Sequence, residues 1–458
     1  MSNPSTLTTL ADWLTHIERQ HGQTIALGLE RVRQVKNTLN IPQTVPVITV
    51  AGTNGKGSVC AMLERILLCA GYRVGLYTSP HLLNYNERVR IAGEAMNDAS
   101  LCDAFAQVEA ARNDVPLTYF EFGTLAAWVA FAAAKVEVVI LEVGLGGRLD
   151  AVNAFDTDCA IITSIDIDHT EYLGETRELI GFEKAGVLRA GKPAILGDAK
   201  PPTSVLKHAE KLGVNLQILG RDFGYSGDQV QWAWWSSEAK QEKARQKSPS
   251  LNADALSGDN SVTRRGELSV TRRGGLAHPA LRGLIQLGNA SVVMAALNAL
   301  SDVLPVAMQD IRRGFAEVEL PGRFQVLAGL PTVVLDVAHN PQAAGILSDS
   351  LGNMAFHPDT WAVFGMLSDK DIKGVVERIK GRIDHWMLAT LDEPRGSTAE
   401  ALKTVLAEQG IKPAGLFDTP AAAWQAARER AKENDRIVVF GSFHTVADVL
   451  RDLATGTK

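Results

Sequence analysis

The chain has 458 residues, 46 Lys and Arg against 52 Asp and Glu, a formal net charge of −6, 46% hydrophobic residues and 21% charged ones, an ordinary globular composition with room for roughly two or three domains. Mild acidity argues against a basic nucleic-acid binder but not against a locally recognised nucleotide. Four cysteines (Cys60, Cys69, Cys102, Cys159) without a CxxC pair argue against a disulfide framework and a zinc site, and the lack of a leader pattern or of an apolar run near about 18 residues points to a cytoplasmic protein that does not span a membrane.

In chain order, short runs rich in Val and Ile lead into glycine-containing turns and helical patterns. VPVITVAG (45–52), VEVVILEVG (136–144), DCAIITSID (158–166), PTVVLDVAH (331–339), TWAVFGML (360–367) and DRIVVFGSF (435–443) read as strands. Continuous apolar runs of this kind are expected of parallel strands covered on both faces, with ligands gathering beyond their carboxyl ends. Val230, Trp232 and Trp234 alternate as in a half-buried strand. Residues 236–276 are rich in Ser, Lys, Arg, Gly and Asn and hold a tandem repeat, SVTRRGEL then SVTRRGGL, too short for a solenoid; they read as a mobile surface insertion. At LPGRF (320–324) a helical stretch gives way to a new set of strands, so this segment reads as a linker between residues 1–319 and 325–458.

Gly52, Thr53, Asn54, Gly55, Lys56, Gly57 and Ser58 follow the first strand and precede a helical pattern carrying Met62, Leu63, Ile66 and Leu67. Glycines let successive N–H groups converge on phosphate oxygens, the helix N-terminus adds positive charge, Lys56 can reach the terminal phosphates and Ser58 can hold Mg²⁺. The spacing is tighter than GxxxxGK[ST], and a glycine separates Lys56 from Ser58. With this loop the expected fold is α/β: a P-loop NTPase-like N-terminal domain with a mostly parallel sheet, plus a smaller Rossmann-like α/β C-terminal domain.

Other polar residues fall at strand ends. Glu142 is costly to bury unless paired or liganded, so it reads as a salt-bridge residue or a Mg²⁺ ligand. Asp166, Asp168 and His169 follow the next strand, where a turn or a ligand role is open. Asp336 and His339 could grip a nucleotide or order a loop. Ser442 and His444 lack the GxSxG surroundings of a hydrolase. Together these residues suggest an Mg²⁺-dependent user of nucleoside triphosphate with a second α/β domain beside the site.

The motifs AGTNGKGS (51–58), TSPHL (78–82), ERVRIAG (87–93), TYFEFGTLAA (118–127), LEVGLGGRLDAVN (141–153), DHTEYLGETRELIGFEKAG (168–186), LPGRF, DVAHNP (336–341), GMLSDKDI (365–372) and GSFHTV (441–446) resemble, in kind and order, those of bifunctional dihydrofolate synthases/folylpolyglutamate synthases within the Mur-ligase superfamily. The resemblance covers nearly the whole chain except 236–276. It implies an ATP-dependent ligase that adds L-glutamate to dihydropteroate and to tetrahydrofolate or its polyglutamates through an acyl phosphate. It implies that Thr53, Asn54, Gly55, Lys56, Gly57, Ser58, Asn289, Arg323, Asp336 and His339 bind ATP. Ser58, Ser79, Glu142 and His169 are the implied ligands of Mg²⁺, expected as two ions. Lys56, His169 and Lys184 are the implied catalytic residues, Lys184 matching a lysine that is carbamylated in relatives. The pterin end is implied to lie at Thr118, Tyr119, Phe120, Glu121, Leu149, Asp150 and Ala151. Val152 and Phe182 depart from the usual Thr and Ala or Arg of the family. The expected partners are small molecules, without nucleic acid or membrane, for a monomeric enzyme. The competing readings are a folylpolyglutamate synthase alone, a peptidoglycan Mur ligase and a non-catalytic nucleotide-binding protein.

Overall fold

The structure is a computed structural model that describes residues 7–22, 25–228, 230–239, 262–265 and 268–455. Its largest sheet has eight strands in the order Glu94–Ala95, Val89–Ile91, Val74–Tyr77, Val138–Glu142, Val47–Ala51, Cys159–Ile162, Pro193–Leu196 and Asn215–Ile218. The first two join antiparallel at one edge, and all other neighbours are parallel. Val47–Ala51 and Val138–Glu142 are buried at every position, which is why their sequences run apolar without alternation. Alternate residues feed two cores. Val47, Val139 and Leu141 pack with Phe122 and Phe131 of the helix Tyr119–Ala133, while Ile48, Val50 and Ile140 pack with Met62, Leu63, Ile66 and Leu67 of the helix Lys56–Cys69.

A second sheet has six strands, in the order Gln325–Leu327, Thr332–Leu335, Arg436–Phe440, Thr360–Phe364, His385–Ala389 and Gly415–Phe417. Only its first strand is antiparallel. The six strands expected from sequence are all present, though the one expected over 158–166 stops at Ile162, because residues beyond it turn away to brace the glycine loop. Among the described residues no helix is long and apolar enough to cross a membrane.

The insertion is where the sequence reading needs correction. Val262–Arg265 and Leu268–Ala277 are strands, pairing antiparallel with each other and, through the latter, with Gln231–Ala239 in a four-stranded sheet that ends at Phe223–Gly227. The expected loop was wrong for these residues; 240–261 and 266–267 lie outside the described ones. The physical reason is burial at the base of the sheet, where Trp232, Trp234, Phe223 and Leu276 all enter a core shared with the helix Gln286–Ala299 and the Trp232 indole N–H donates to the Ala277 carbonyl. Alternating Val, Thr and Arg suits such a strand as well as it suits a polar loop. Val230, grouped with the two tryptophans from the sequence, lies outside the strand and is 80% exposed.

Candidate functional site

The glycine loop leaves the central strand at Ala51 and enters the helix at Lys56. Gly52 has φ +145°, and a Cβ there would collide with the Thr163 hydroxyl; Gly55 has φ +88°, in the left-handed region that disfavours side chains. The neighbouring strand end straps the loop: Thr53 N donates to Ser164 O (2.8 Å), Asn54 N donates to Ser164 Oγ (3.1 Å), and the Thr163 and Ser164 hydroxyls donate to Asn54 O. Thr53 Oγ1 also accepts from Asp166 N (3.0 Å). Lys56 Nζ donates to Gly52 O (3.0 Å) and Thr53 O (3.2 Å), so it lies along the loop.

One cavity is lined by residues 52–58 together with Ser79, Glu142, Asp168, His169 and Lys184 from the large-sheet side and by Arg323, Asp336 and His339 from the six-stranded side. Sequence-distant candidates therefore meet at the carboxyl ends of both sheets. Glu142 is buried; its Oε2 accepts from the Thr78 hydroxyl and from Ser79 N (3.2 Å), and it has no ion-pair partner among the described residues. Such a carboxylate fits a cation site, with Ser58, Ser79 and His169 as further donors. Among the described residues no group of three or more His, Cys, Asp or Glu side chains is arranged to hold a metal ion by itself, so a bound metal would draw on serine hydroxyls and ligand oxygens, as Mg²⁺ commonly does.

Lys184 is buried in the same cavity, and no hydrogen bond or ion pair of its Nζ is found among the described residues. Burial first, then the charge of Lys56, pushes it down to about 7, against the opposing pull of Asp168 and Asp150. Burial also lowers His169 to about 4; Asp168 opposes this and Lys370 adds to it, which keeps the imidazole neutral and able to offer a lone pair. Asp168 goes the other way. Burial would raise it, but His169, Lys370 and His339 outweigh burial and hold it below the usual carboxylate range.

On the six-stranded side, Asp336 accepts from Phe324 N and Ala338 N (2.8 Å each), and burial raises its pKa despite those bonds and Arg323. The Arg323 guanidinium lies 4.8 Å from the Phe443 ring centroid. His339 Nδ1 faces Val337 O at 2.9 Å. Asn289 does not line the cavity; it is buried beneath the loop, donating to Gln286 Oε1 (3.0 Å), and Gln286 in turn donates to Ser58 Oγ (3.4 Å).

The pterin-side candidates sit one layer behind. Thr118 caps the helix Tyr119–Ala133 in a reciprocal box with Glu121, and Glu121 pairs with Arg31 at 3.0 Å. Phe120 packs against Tyr77 (centroids 5.6 Å apart) and directly under Gly144, a cavity residue. Tyr119 meets Tyr85 edge-on. Asp150 is buried, accepts from Leu145 N (2.8 Å) and Val152 N (3.0 Å), and is raised by burial to about 7. Leu149 O accepts from Gly28 N (3.3 Å), and Ala151 is buried. Ser442 and His444 are not a catalytic pair: Ser442 Oγ accepts from His444 N, and His444 Nδ1 faces Glu393 at 2.9 Å.

Residue-by-residue sequence reasoning missed Asn340, Gln342 and Lys370. Lys370 Nζ donates to Asp168 Oδ1 (2.8 Å) and lies 3.3 Å from His169 Nε2. The signal was present, since Asn340 and Lys370 fall inside DVAHNP and GMLSDKDI.

Comparison with known proteins agrees with this geometry. Residues 50–251 match the Mur ligase middle domain and residues 322–443 the Mur ligase glutamate ligase domain. The chain is 43% identical to the dihydrofolate synthase/folylpolyglutamate synthase of Escherichia coli K12, covering 98% of this chain and 96% of that one. The structure of E. coli FolC with DHPP and ADP superposes with a TM-score of 0.87 at 41% identity over all of both chains. A bifunctional folylpolyglutamate synthase/dihydrofolate synthase with Mn, AMPPNP and L-glutamate bound superposes at 0.85 with 42% identity, covering 99% of this chain and 100% of that one.

Proposed function

The chain belongs to the bifunctional dihydrofolate synthases/folylpolyglutamate synthases of the Mur ligase family, and we propose from that premise how its own residues carry out ATP-dependent addition of L-glutamate to dihydropteroate and to reduced folates. The observation that carries the reading is the single cavity joining the glycine loop, Glu142, His169 and Lys184 to Arg323, Asp336 and His339.

In the first step a substrate carboxylate oxygen bonds to the γ-phosphorus of ATP and the bond to the β-phosphate oxygen breaks, leaving ADP and an acyl phosphate. Two anions meet, so cations must offset the repulsion. The N–H groups of residues 55–58 and the Lys56 ammonium do this at the phosphates, and the Arg323 guanidinium beside Phe443 adds a second cation. Ser58, Ser79, Glu142 and His169 would hold Mg²⁺, which supplies charge neutralisation at the phosphate oxygens when bound. In the second step the glutamate amine forms the C–N bond, phosphate leaves and the nitrogen loses a proton. A carbamate on Lys184 would add anionic oxygens for a second ion, and the neutral amine favoured by its burial is the form that meets CO₂.

Phe120 and Asp150 are the residues we assign to the pteridine, as a flat apolar face and an acceptor for ring N–H groups. Residues 1–319 are read as the nucleotide and pterin unit and 325–458 as the glutamate-ligase unit, in an enzyme acting as a cytoplasmic monomer on small molecules. The deciding experiment is phosphate release with ATP and L-glutamate, supplying dihydropteroate and tetrahydrofolate separately. Turnover with both is expected. Extension of tetrahydrofolate alone would leave a folylpolyglutamate synthase, and turnover with neither would overturn the reading.

A further inference from the structure

The glycine loop is braced from two directions that belong to different sheets. Its backbone is tied to Thr163 and Ser164 of the large sheet. The Asn54 side chain points the other way, and its amide exchanges hydrogen bonds with the Asn340 amide at 3.2 Å in each direction. Asn54 Nδ2 donates a second time, to Gln342 Oε1. Asn340 is itself fixed, since its Oδ1 caps the helix Pro341–Gly352 by accepting from Ala343 N (2.9 Å) and its Nδ2 donates to Asp168 Oδ2 (3.0 Å). Gln342 sits in the first turn of that helix and is half-buried.

We propose that Gln342 is a positioning residue for phosphoryl transfer: with Asn340 it clasps Asn54 and so lets the six-stranded unit set the orientation of the phosphate-binding loop. Gln342 lines a neighbouring cavity with Asp369, Lys370 and Arg378, whereas it does not line the one that holds Lys56 and Glu142. Its route to the phosphates therefore runs through Asn54. The geometry assigns it an acceptor role. Asn54 has one amide group with two N–H bonds, Asn340 Oδ1 takes one, and Gln342 Oε1 takes the other, which completes the donor capacity of a side chain set immediately before Gly55 and Lys56, where the loop passes into its helix. Loss of the acceptor leaves that side-chain N–H to water and weakens the brace from the six-stranded side, so that the ties to Thr163 and Ser164 dominate the orientation of the loop. A misaligned cradle weakens the interaction that grows as charge moves onto the bridging oxygen.

This inference rests on reading residues 52–58 as the ATP phosphate loop, and the test separates the two. Phosphate release is measured on the full chain with ATP varied at saturating dihydropteroate and L-glutamate, then with each of those varied at saturating ATP. If the parent protein turns over no ATP, the reading of the loop fails. Given an active parent, Gln342→Ala is expected to lower kcat/KM for ATP by about tenfold, with the KM values for dihydropteroate and L-glutamate within about twofold of the parent. Gln342→Glu retains an acceptor oxygen and should recover to within about threefold. Combining Gln342→Ala with Asn54→Ala should cost little more than Asn54→Ala alone, because both remove one contact. An unchanged Gln342→Ala, a Gln342→Glu as impaired as Gln342→Ala, or additive losses in the double variant would each overturn the proposal. So would a rise in the KM for L-glutamate larger than the loss in kcat/KM for ATP, since Gln342 would then be touching the amine substrate.

Discussion

Lys184 and Lys56 line one cavity, and the charge of Lys56, added to burial, brings the Lys184 ammonium from 10.5 down to about 7. A lysine in that range is present as free amine near neutral pH, whereas an exposed one is almost wholly protonated. Such a free amine can add to CO₂, and on the proposed reading it does so here: an N–C bond would form, the nitrogen would shed a proton, and the product would be a carbamate with two oxygens for metal binding.

Lys184→Ala is therefore expected to slow acyl-phosphate formation by about 100-fold or more while changing nucleotide affinity little, and formate or acetate should restore part of the rate. Lys184→Arg keeps the charge, cannot form this group, and should be as slow as the alanine variant. Because the protonated amine does not react with CO₂, carbamate loading should fall as pH drops through about 7, read from the carbamate carbon resonance after equilibration with ¹³C-bicarbonate. An arginine variant as fast as the parent would end the carbamate reading.

Glu142 offers a cleaner separation of charge from structure. Its Oε2 accepts from Thr78 and Ser79, and Glu142→Gln keeps an oxygen in that place while deleting the charge. Turnover should fall by about 10²- to 10³-fold and the Mg²⁺ requirement should rise, with the urea midpoint close to that of the parent. Full activity at limiting Mg²⁺ would remove Glu142 from the ligand set.

Much of this site was legible because its residues sit at the ends of long apolar runs. Ala51 and Glu142 end strands whose burial is visible in the sequence, and Gly52 and Gly55 announce backbone that other residues cannot adopt. Thr118 and Glu121 show the limit of the same reasoning, since the TYFE pattern is also a helix capping box and the structure uses it as one. Asn340, Gln342 and Lys370 act across some 170 to 290 positions of sequence on Asp168 and Asn54. No local period encodes such pairs; they exist only once two sheets are docked. The insertion was misread for a related reason, as its strands are held by tryptophans and a leucine at its base rather than by the polar repeat itself.

That architecture divides the insertion into two parts of unequal cost. Leu276 and Trp232 are buried on paired strands, so deleting 236–276 should destabilise the fold by about 3 kcal/mol or more through lost burial. Replacing only 240–261 is different. The ends to be joined, Ala239 and Val262, lie on parallel strands either side of Leu268–Ala277 and three residues out of register, a gap of about 14 Å that a flexible crossover of roughly twelve Gly and Ser residues spans. This shorter excision should leave urea stability and turnover near parental values, and equal unfolding of both variants would show that the sheet does not separate them.

Lys370 and Asp168 form a pair with side chains only 9% and 10% exposed. Burial works against the Asp168 carboxylate, but His169, Lys370 and His339 together hold its pKa below the ordinary value of 3.8. A carboxylate depressed in the folded state gives stability that is fully present above its unfolded pKa and is lost as pH falls through the folded one. Lys370→Met removes one of the depressing charges, so the folded pKa rises toward the unfolded one; the stability that the carboxylate contributes at neutral pH shrinks, and what is left is lost over a narrower window below the unfolded pKa. At pH 7 the variant should lose about 1 to 3 kcal/mol, less than for an isolated buried pair because Asn340 still donates to Asp168. The same substitution relieves His169, whose pKa of about 4 owes part of its depression to Lys370, so that ring titrates nearer to neutrality. A protonated imidazole offers no lone pair to a metal, and the acid limb of kcat/KM should therefore move to higher pH together with the acid-unfolding midpoint. Urea titrations across pH, His169 ring resonances and a pH–rate profile check the three shifts separately. If stability falls while the His169 resonance and the acid limb stay in place, Lys370 is a docking contact without electrostatic influence on the site.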